Sequence, residues 1–159
     1  ESEPLYIEAL KNSLEKKLSE LNWKPDTVIA SYHGIPKKYF DKGDPYHCYC
    51  QKTTRLLSEQ FKQIPIQTTF QSRFGPQEWL QPYTDKTLEN LPGEGKKNVV
   101  VICPGFSSDC VETLEEISMQ GKESFIKSGG LNFDVVPCLN DNDDHINLLQ
   151  HLARKFILK

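Results

Sequence analysis

The chain has 159 residues, 37% of them hydrophobic and 26% charged, with 19 basic side chains against 22 acidic ones and a net charge of -3. That length suits one domain with a substantial core, and without a basic excess there is no footprint of a nucleic-acid partner. No apolar run approaches a membrane span and no signal peptide opens the sequence; it begins with glutamate and turns helical almost at once, so a piece cut or processed from something longer is expected.

Ile7, Leu10, Leu14, Leu18 and Leu21 recur at helical spacing and predict an amphipathic helix over residues 4–21, with Pro4 at its first turn. Thr27-Val28-Ile29-Ala30 reads as a short strand. The following loop, residues 32–43, holds two glycines, a proline and three aromatics, and long ordered loops at strand ends often carry function. Asp44 and Pro45 form an N-cap and first-turn pair for a helix reaching about Phe61.

A second strand is predicted over residues 64–70, followed by another aromatic loop over 71–83 and a short helix from Thr84 or Asp85 to about Leu91. Val99-Val100-Val101-Ile102 has the β-branched character of a buried parallel strand. After the break at Pro104-Gly105, Ser107, Ser108 and Asp109 are N-cap candidates for a helix reaching about Met119. A further helical stretch spans about 121–128, stopped by Gly129-Gly130. A fourth strand over 133–137, a polar loop over 139–143 and a helix marked by Ile146, Leu149, Leu152 and Phe156 complete the pattern. Strands alternating with helices, without hairpin signals, predict a doubly wound α/β fold: a four-stranded parallel sheet with helices on both faces, in one domain spanning residues 1–159.

Ligands of such sheets bind beyond the carboxyl ends of the strands. Three strand ends then bring together His33, the loop around Arg73 and Trp79, and Glu112 with Glu116. Glu112 and Glu116 are four apart and share a helix face, about 6 Å apart along the axis. Acids at a helix start also satisfy its dipole, so capping and a functional acid pair both stand as readings. His33 is a candidate general base or metal contact, with Gly34 beside it leaving the backbone open to a ligand. Trp79, in a stiff loop between Pro76 and Pro82, is either a local anchor or a flat wall for a flat ligand. Tyr32, Tyr39, Phe40, Phe74 and Tyr83 are further aromatic candidates for lining or packing. Arg73, with its planar fork, is the stronger candidate for a ligand carboxylate than Lys37 or Lys38.

The cysteines, at 48, 50, 103, 110 and 138, are five in number and scattered, which suits reduced thiols in an intracellular protein. His47, Cys48 and Cys50 are soft ligands by type, but residues one and two apart point in different directions on a helix. His145 and His151 read as surface positions without partners. No GxGxxG or Walker motif is present.

Several blocks resemble the ferrochelatase family in order and content. They are Ser31-Tyr32-His33-Gly34-Ile35-Pro36, Gly43-Asp44-Pro45-Tyr46, Gln71-Ser72-Arg73-Phe74-Gly75-Pro76, and Trp79-Leu80-Gln81-Pro82-Tyr83-Thr84-Asp85. Cys103-Pro104-Gly105-Phe106, Asp109-Cys110-Val111-Glu112-Thr113-Leu114-Glu115-Glu116-Ile117 and Pro137-Cys138-Leu139-Asn140-Asp141 complete the set. The resemblance covers nearly the whole chain and corresponds to the C-terminal lobe of a two-lobed, chelatase-like enzyme with Rossmann-type topology. It implies insertion of Fe(II), as substrate metal, into protoporphyrin IX to form protohaem. His33 and Glu112 match the catalytic positions, while His33, Glu112 and Glu116 are the implied metal contacts; which of them takes protons is left open. Trp79, Arg73 and Tyr32 are the expected porphyrin contacts.

Two departures accompany it. The acidic line often continues one turn further, where this chain has Gln120, and the cysteine-rich tail that binds a [2Fe-2S] cluster in animal members is absent, so no cluster is expected. The partners expected are the porphyrin and the missing N-terminal lobe, in the cytoplasm with possible peripheral contact at the inner membrane. The fragment alone is expected to insert metal poorly or not at all. Two other readings are a porphyrin- or metal-binding module without catalysis and a related cobalt or nickel chelatase.

Overall fold

A computed structural model describes residues 1–157. The first helix, α1 (Pro4–Glu20), leads into β1 (Thr27–His33), the short α2 (Lys37–Asp41) and α3 (Tyr46–Ser58). Next come β2 (Ile66–Gln71), α4 (Thr84–Asn90) with a 3-10 turn at Leu91–Glu94, and β3 (Asn98–Ile102). A π-helix (Glu112–Gly121) runs directly into α5 (Lys122–Lys127), followed by β4 (Asn132–Val135) and α6 (Asp143–Ile157).

The four strands form one parallel sheet in the order β2-β1-β3-β4, with Val28 opposite Ile66 on one side of β1 and opposite Val100 on the other. Period-two alternation divides the side chains of β1 and β3 between two cores. Val28, Ala30, Tyr32, Val100 and Ile102 pack with Ala9, Leu10 and Leu14 of α1 and Leu57 of α3. Ile29, Val99, Val101 and Cys103 pack on the other face with Leu88, Ile117, Phe125 and Phe133. Helices therefore cover both faces, as the strand pattern predicts. From β1 the chain winds to β2 on one side, and from β3 to β4 on the other. The crevice between the carboxyl ends of β1 and β3 is thus the topological switch point, the place where open α/β sheets bind ligands.

Local departures from the predicted elements have identifiable causes. The loop after β1 contains α2, where Lys37 Nζ meets Asp41 Oδ1 at 2.7 Å one turn later and Pro36 bridges to Trp79. In α3, Asp44 Oδ1 accepts the Tyr46 N–H at 2.9 Å, and the helix starts one residue later than predicted and ends at Ser58. The carbonyl of Pro65 is used by Val28 N–H and the Thr27 hydroxyl, and the ladder of β2 opens only at Ile66.

The largest departure follows β3. The predicted pair of helices is one continuous run, and its first ten residues are wound as a π-helix. Such winding is rare beyond single turns and is enriched at functional sites. Side chains five apart support it: Ser118 Oγ donates to the Thr113 carbonyl at 2.9 Å and Gln120 Nε2 to Glu115 Oε1 at 3.2 Å. Gly121 lies inside the run because a Cβ there would stand 3.2 Å from Leu88 Cδ1 and 3.3 Å from the Glu116 carbonyl oxygen.

Candidate active site

His33 is the last residue of β1, half-buried at the switch point. Its Nδ1 lies 2.7 Å from the Gly34 carbonyl oxygen. A carbonyl only accepts, so Nδ1 donates to it, and Nε2 is the ring nitrogen left for other partners. No protein group among the described residues bonds Nε2. The ring stands between two aromatic side chains, with centroids 6.3 Å from Trp79 and 6.2 Å from Phe106, and the Tyr46 hydroxyl steadies the His33 carbonyl at 2.8 Å.

Trp79 is seated on this strand end. Its Nε1 donates to the Phe74 carbonyl at 2.9 Å, and a Cβ on Gly34 would come within 3.2 Å of its ring and 3.0 Å of the Gln71 carbonyl oxygen. Gly34 was expected to leave the backbone open to a ligand. The indole and β2 occupy that space instead, so the glycine makes room for the wall.

Glu112 opens the π-helix and is half-buried. A hydrogen bond from the Cys110 side chain, one from its own backbone and the neighbouring charge of His33 hold its carboxyl below the ordinary carboxylate range against a smaller effect of burial. Imidazole and carboxylate are therefore electrostatic neighbours, and both are of the side-chain types that carry general acid–base chemistry.

Glu116 is held differently. Its Oε1 accepts the Ser72 N–H at 2.7 Å, and its Oε2 accepts the Ser72 hydroxyl at 2.7 Å and Gln71 Nε2 at 3.3 Å. The expected acid pair is thus one carboxylate neighbouring His33 and one tied to the end of β2. Among the described residues no group of three His, Cys, Asp or Glu side chains converges to hold a metal ion.

Arg73 is exposed, paired with Asp85 Oδ2 at 2.6 Å and lying 4.3 Å over the Tyr83 ring; a ligand carboxylate would have to draw it from Asp85. Tyr32, expected as a porphyrin contact, is 3% exposed and its hydroxyl pairs with Thr54 Oγ1 at 2.9 Å. Strand alternation sends it to the face opposite its neighbour Ser31, into the core of α1 and α3. His145 is not a surface position: it is 6% exposed, with Nδ1 2.5 Å from the Asn140 carbonyl. His151 is half-buried and meets Glu3 at 3.5 Å, so it too has a partner. His47 is packed between the rings of Phe40 and Phe70, at 5.0 and 5.7 Å.

All five cysteines are free thiols. Burial pushes Cys50 up to about 11 and Cys138 to about 12, and raises Cys103 well above the ordinary range, so these three stay protonated at neutral pH.

Residue types alone did not single out Phe106, Gln71 or Ser72. Phe106 sat in a recognised block without a role. Gln71 was expected to open the loop after a strand ending at residue 70; it is instead the last residue of β2 and 3% exposed.

Three pockets of about 340, 470 and 240 Å³ surround this strand edge, lined respectively by Glu116, by Phe106 and by Trp79. His33 and Glu112 line none of these three. They stand on an open face beside exposed Val111 (68%) and Leu114 (54%). The strand edge thus carries an imidazole, a carboxylate and an indole side by side.

These features define an α/β protein whose topological switch point brings together an imidazole, a carboxylate and an indole. The ferrochelatase family model matches residues 1–156, and the chain belongs to that family. It is 57% identical over 155 residues to the ferrochelatase of Rhizobium meliloti (strain 1021), covering 96% of this chain and 46% of that protein. Identity to the ferrochelatase of Mesorhizobium japonicum is 52% over 156 residues, or 97% of this chain and 44% of the relative. The chain spans less than half the length of these curated relatives.

Proposed function

We propose that the chain is the C-terminal, His- and Glu-bearing lobe of an enzyme that inserts Fe(II) into protoporphyrin IX. The observation that carries this reading is the His33 imidazole set between Trp79 and Phe106 at the switch point, its Nδ1 bonded to the Gly34 carbonyl and the Glu112 carboxylate its electrostatic neighbour. The chemistry requires that pairing. Two pyrrole N–H protons must leave as a dication enters, and a neutral imidazole with a neighbouring carboxylate can accept both. In this reading Fe(II) is the substrate metal, met transiently by His33 and Glu112. Glu116 would contact it only after leaving Ser72. Trp79 and Phe106 flank the imidazole and flatten the ligand against it, while Arg73 exchanges Asp85 for a propionate.

The open face explains the need for a second lobe. Desolvation strengthens such electrostatics, and Val111 and Leu114 are apolar surface for the opposite wall to cover. The missing half of a full-length relative is the partner that fits. No described helix is long and apolar enough to cross a membrane; our reading is of a cytoplasmic enzyme whose contact with the inner membrane is peripheral.

The test is anaerobic Fe(II) or Zn(II) insertion into protoporphyrin, followed optically, with this chain and with a chain extended to the full length of its relatives. Insertion by the extended chain alone is the expected result. Porphyrin binding without insertion by both would replace this reading with a binding module, and preference for cobalt or nickel would replace it with the related chelatases.

A further inference from the structure

Gln71 is a buried carboxamide, 3% exposed, that the proposed proton chemistry does not use. Its Oε1 accepts the Ser31 hydroxyl at 2.7 Å and faces the Cys103 thiol at 3.7 Å. Its Nε2 donates to the Glu112 carbonyl at 2.7 Å, to Glu116 Oε2 at 3.3 Å and to the Ser72 hydroxyl at 3.4 Å. One side chain thereby joins the ends of β1, β2 and β3 to Glu112 and Glu116 of the π-helix.

The direction of these bonds is determined by what each group can donate. The Ser31 proton goes to Gln71, because an amide oxygen only accepts. Thr84, 2.8 Å from Ser31, must then donate to it, and Thr69, 2.8 Å from Thr84, must donate in turn. Thr69, Thr84 and Ser31 are all buried, so a one-way chain of hydroxyls runs through the core into the Gln71 oxygen. Turning the amide over would set acceptor against acceptor at the Glu112 carbonyl and at Glu116 Oε2, so these two acceptors lock the nitrogen toward the π-helix, and the hydroxyl chain takes the direction that follows. Ser72 adds a second pin. It holds a left-handed φ of 63°, unusual outside glycine, where both its N–H and its hydroxyl reach Glu116.

The two pins grip the Glu112 carbonyl and the Glu116 carboxylate, four residues apart. Rewinding the segment to α-helical bonding would rotate one relative to the other and break a pin. We propose that Gln71, held at its oxygen by Ser31 and at its nitrogen by the Glu112 carbonyl and Glu116, is a positioning residue that holds the π winding of Glu112–Gly121 and so sets the direction of the Glu112 side chain. Its effect on turnover rests on the reading of Glu112 as a proton acceptor; its effect on the helix does not.

The experiment compares Gln71→Met and Thr84→Val with the parent sequence, in a chain extended to the full length of its relatives, by metal insertion and by amide hydrogen exchange. Gln71→Met keeps length and apolar contact but removes the donor. A kcat about tenfold lower, with porphyrin KM within about twofold, is expected from losing the anchoring hydrogen bonds. Exchange should quicken across residues 113–121 while β1 and β3 stay protected. Thr84→Val, which touches only the hydroxyl chain, should move both readouts the same way by less. Unchanged exchange in 113–121 overturns the proposal, as does exchange that quickens evenly over sheet and helix, which marks a merely structural role. If Gln71→Met does not fold, the exchange pattern of Thr84→Val decides by the same criterion. If the parent inserts no metal, the functional reading fails and the exchange comparison still decides this one.

Discussion

The two faces of the sheet are held by different kinds of interaction. On the face of α1 and α3, ordinary α-helices lay apolar stripes on Val28, Ala30 and Val100, and the adhesion is burial. On the other face Ile117 and Phe125 bury equally well, yet the winding of the segment carrying Ile117 follows hydrogen bonds from Gln71 and Ser72 on another element. The chemistry belongs to the second face and its edge. A helix held by groups outside itself can present a carboxylate at an orientation that its own backbone preference would not select.

Removing the reacting groups should separate the faces most sharply. His33→Ala or Glu112→Gln in a full-length chain is expected to cut metal insertion by about 10²–10⁴-fold, the range for general acid–base groups. Porphyrin binding, measured by Trp79 fluorescence quenching, should fall far less. Loss of affinity in step with rate would mean that these residues hold the ligand rather than take its protons.

Core truncation comes next. Phe125→Ala and Leu57→Ala empty one core each, and both residues are fully buried. Urea unfolding should show losses of about 3–5 and 2–5 kcal/mol. Only Phe125→Ala, adjoining the π-helix, should also lower insertion at conditions where both variants remain folded. Equal loss of activity would erase the distinction between the faces.

Asp109 ties the β3 loop to the loop before α6. Burial raises its pKa, but hydrogen bonds from the Asn140 side chain, Cys138 and Thr113 outweigh that and leave it below the ordinary 3.8. A depressed carboxylate stabilises the fold above its unfolded pKa, and that contribution is lost as pH falls through the lower folded value. Asp109→Asn should therefore cost about 1–3 kcal/mol at pH 7 and less below pH 3. A cost independent of pH would refute the ionic contribution.

At the small end, Arg55→Ala breaks an exposed pair with Glu59 on the α3 side and should change stability by about 0.5 kcal/mol or less in thermal unfolding. A larger loss would mean that this face too depends on polar contacts.

Much of the architecture is legible in the residue order. The period of Ile7, Leu10, Leu14 and Leu18, the β-branched run at 99–102 and the glycine and proline breaks predict α1, β3 and the parallel sheet, because each reflects preferences of neighbouring residues. Strand-end logic also brings His33, Trp79 and Glu112 to one edge. The π winding, the seat of Trp79 over Gly34, the capture of Glu116 by Ser72 and the burial of Tyr32 and His145 were decided only by tertiary structure. For the π winding and the capture of Glu116 the deciding partner lies on another element: Gln71 is 41 residues from Glu112, and Ser72 is 44 from Glu116. A hydrogen bond across that separation leaves no period in the sequence, and forms only when the sheet has brought its strand ends together.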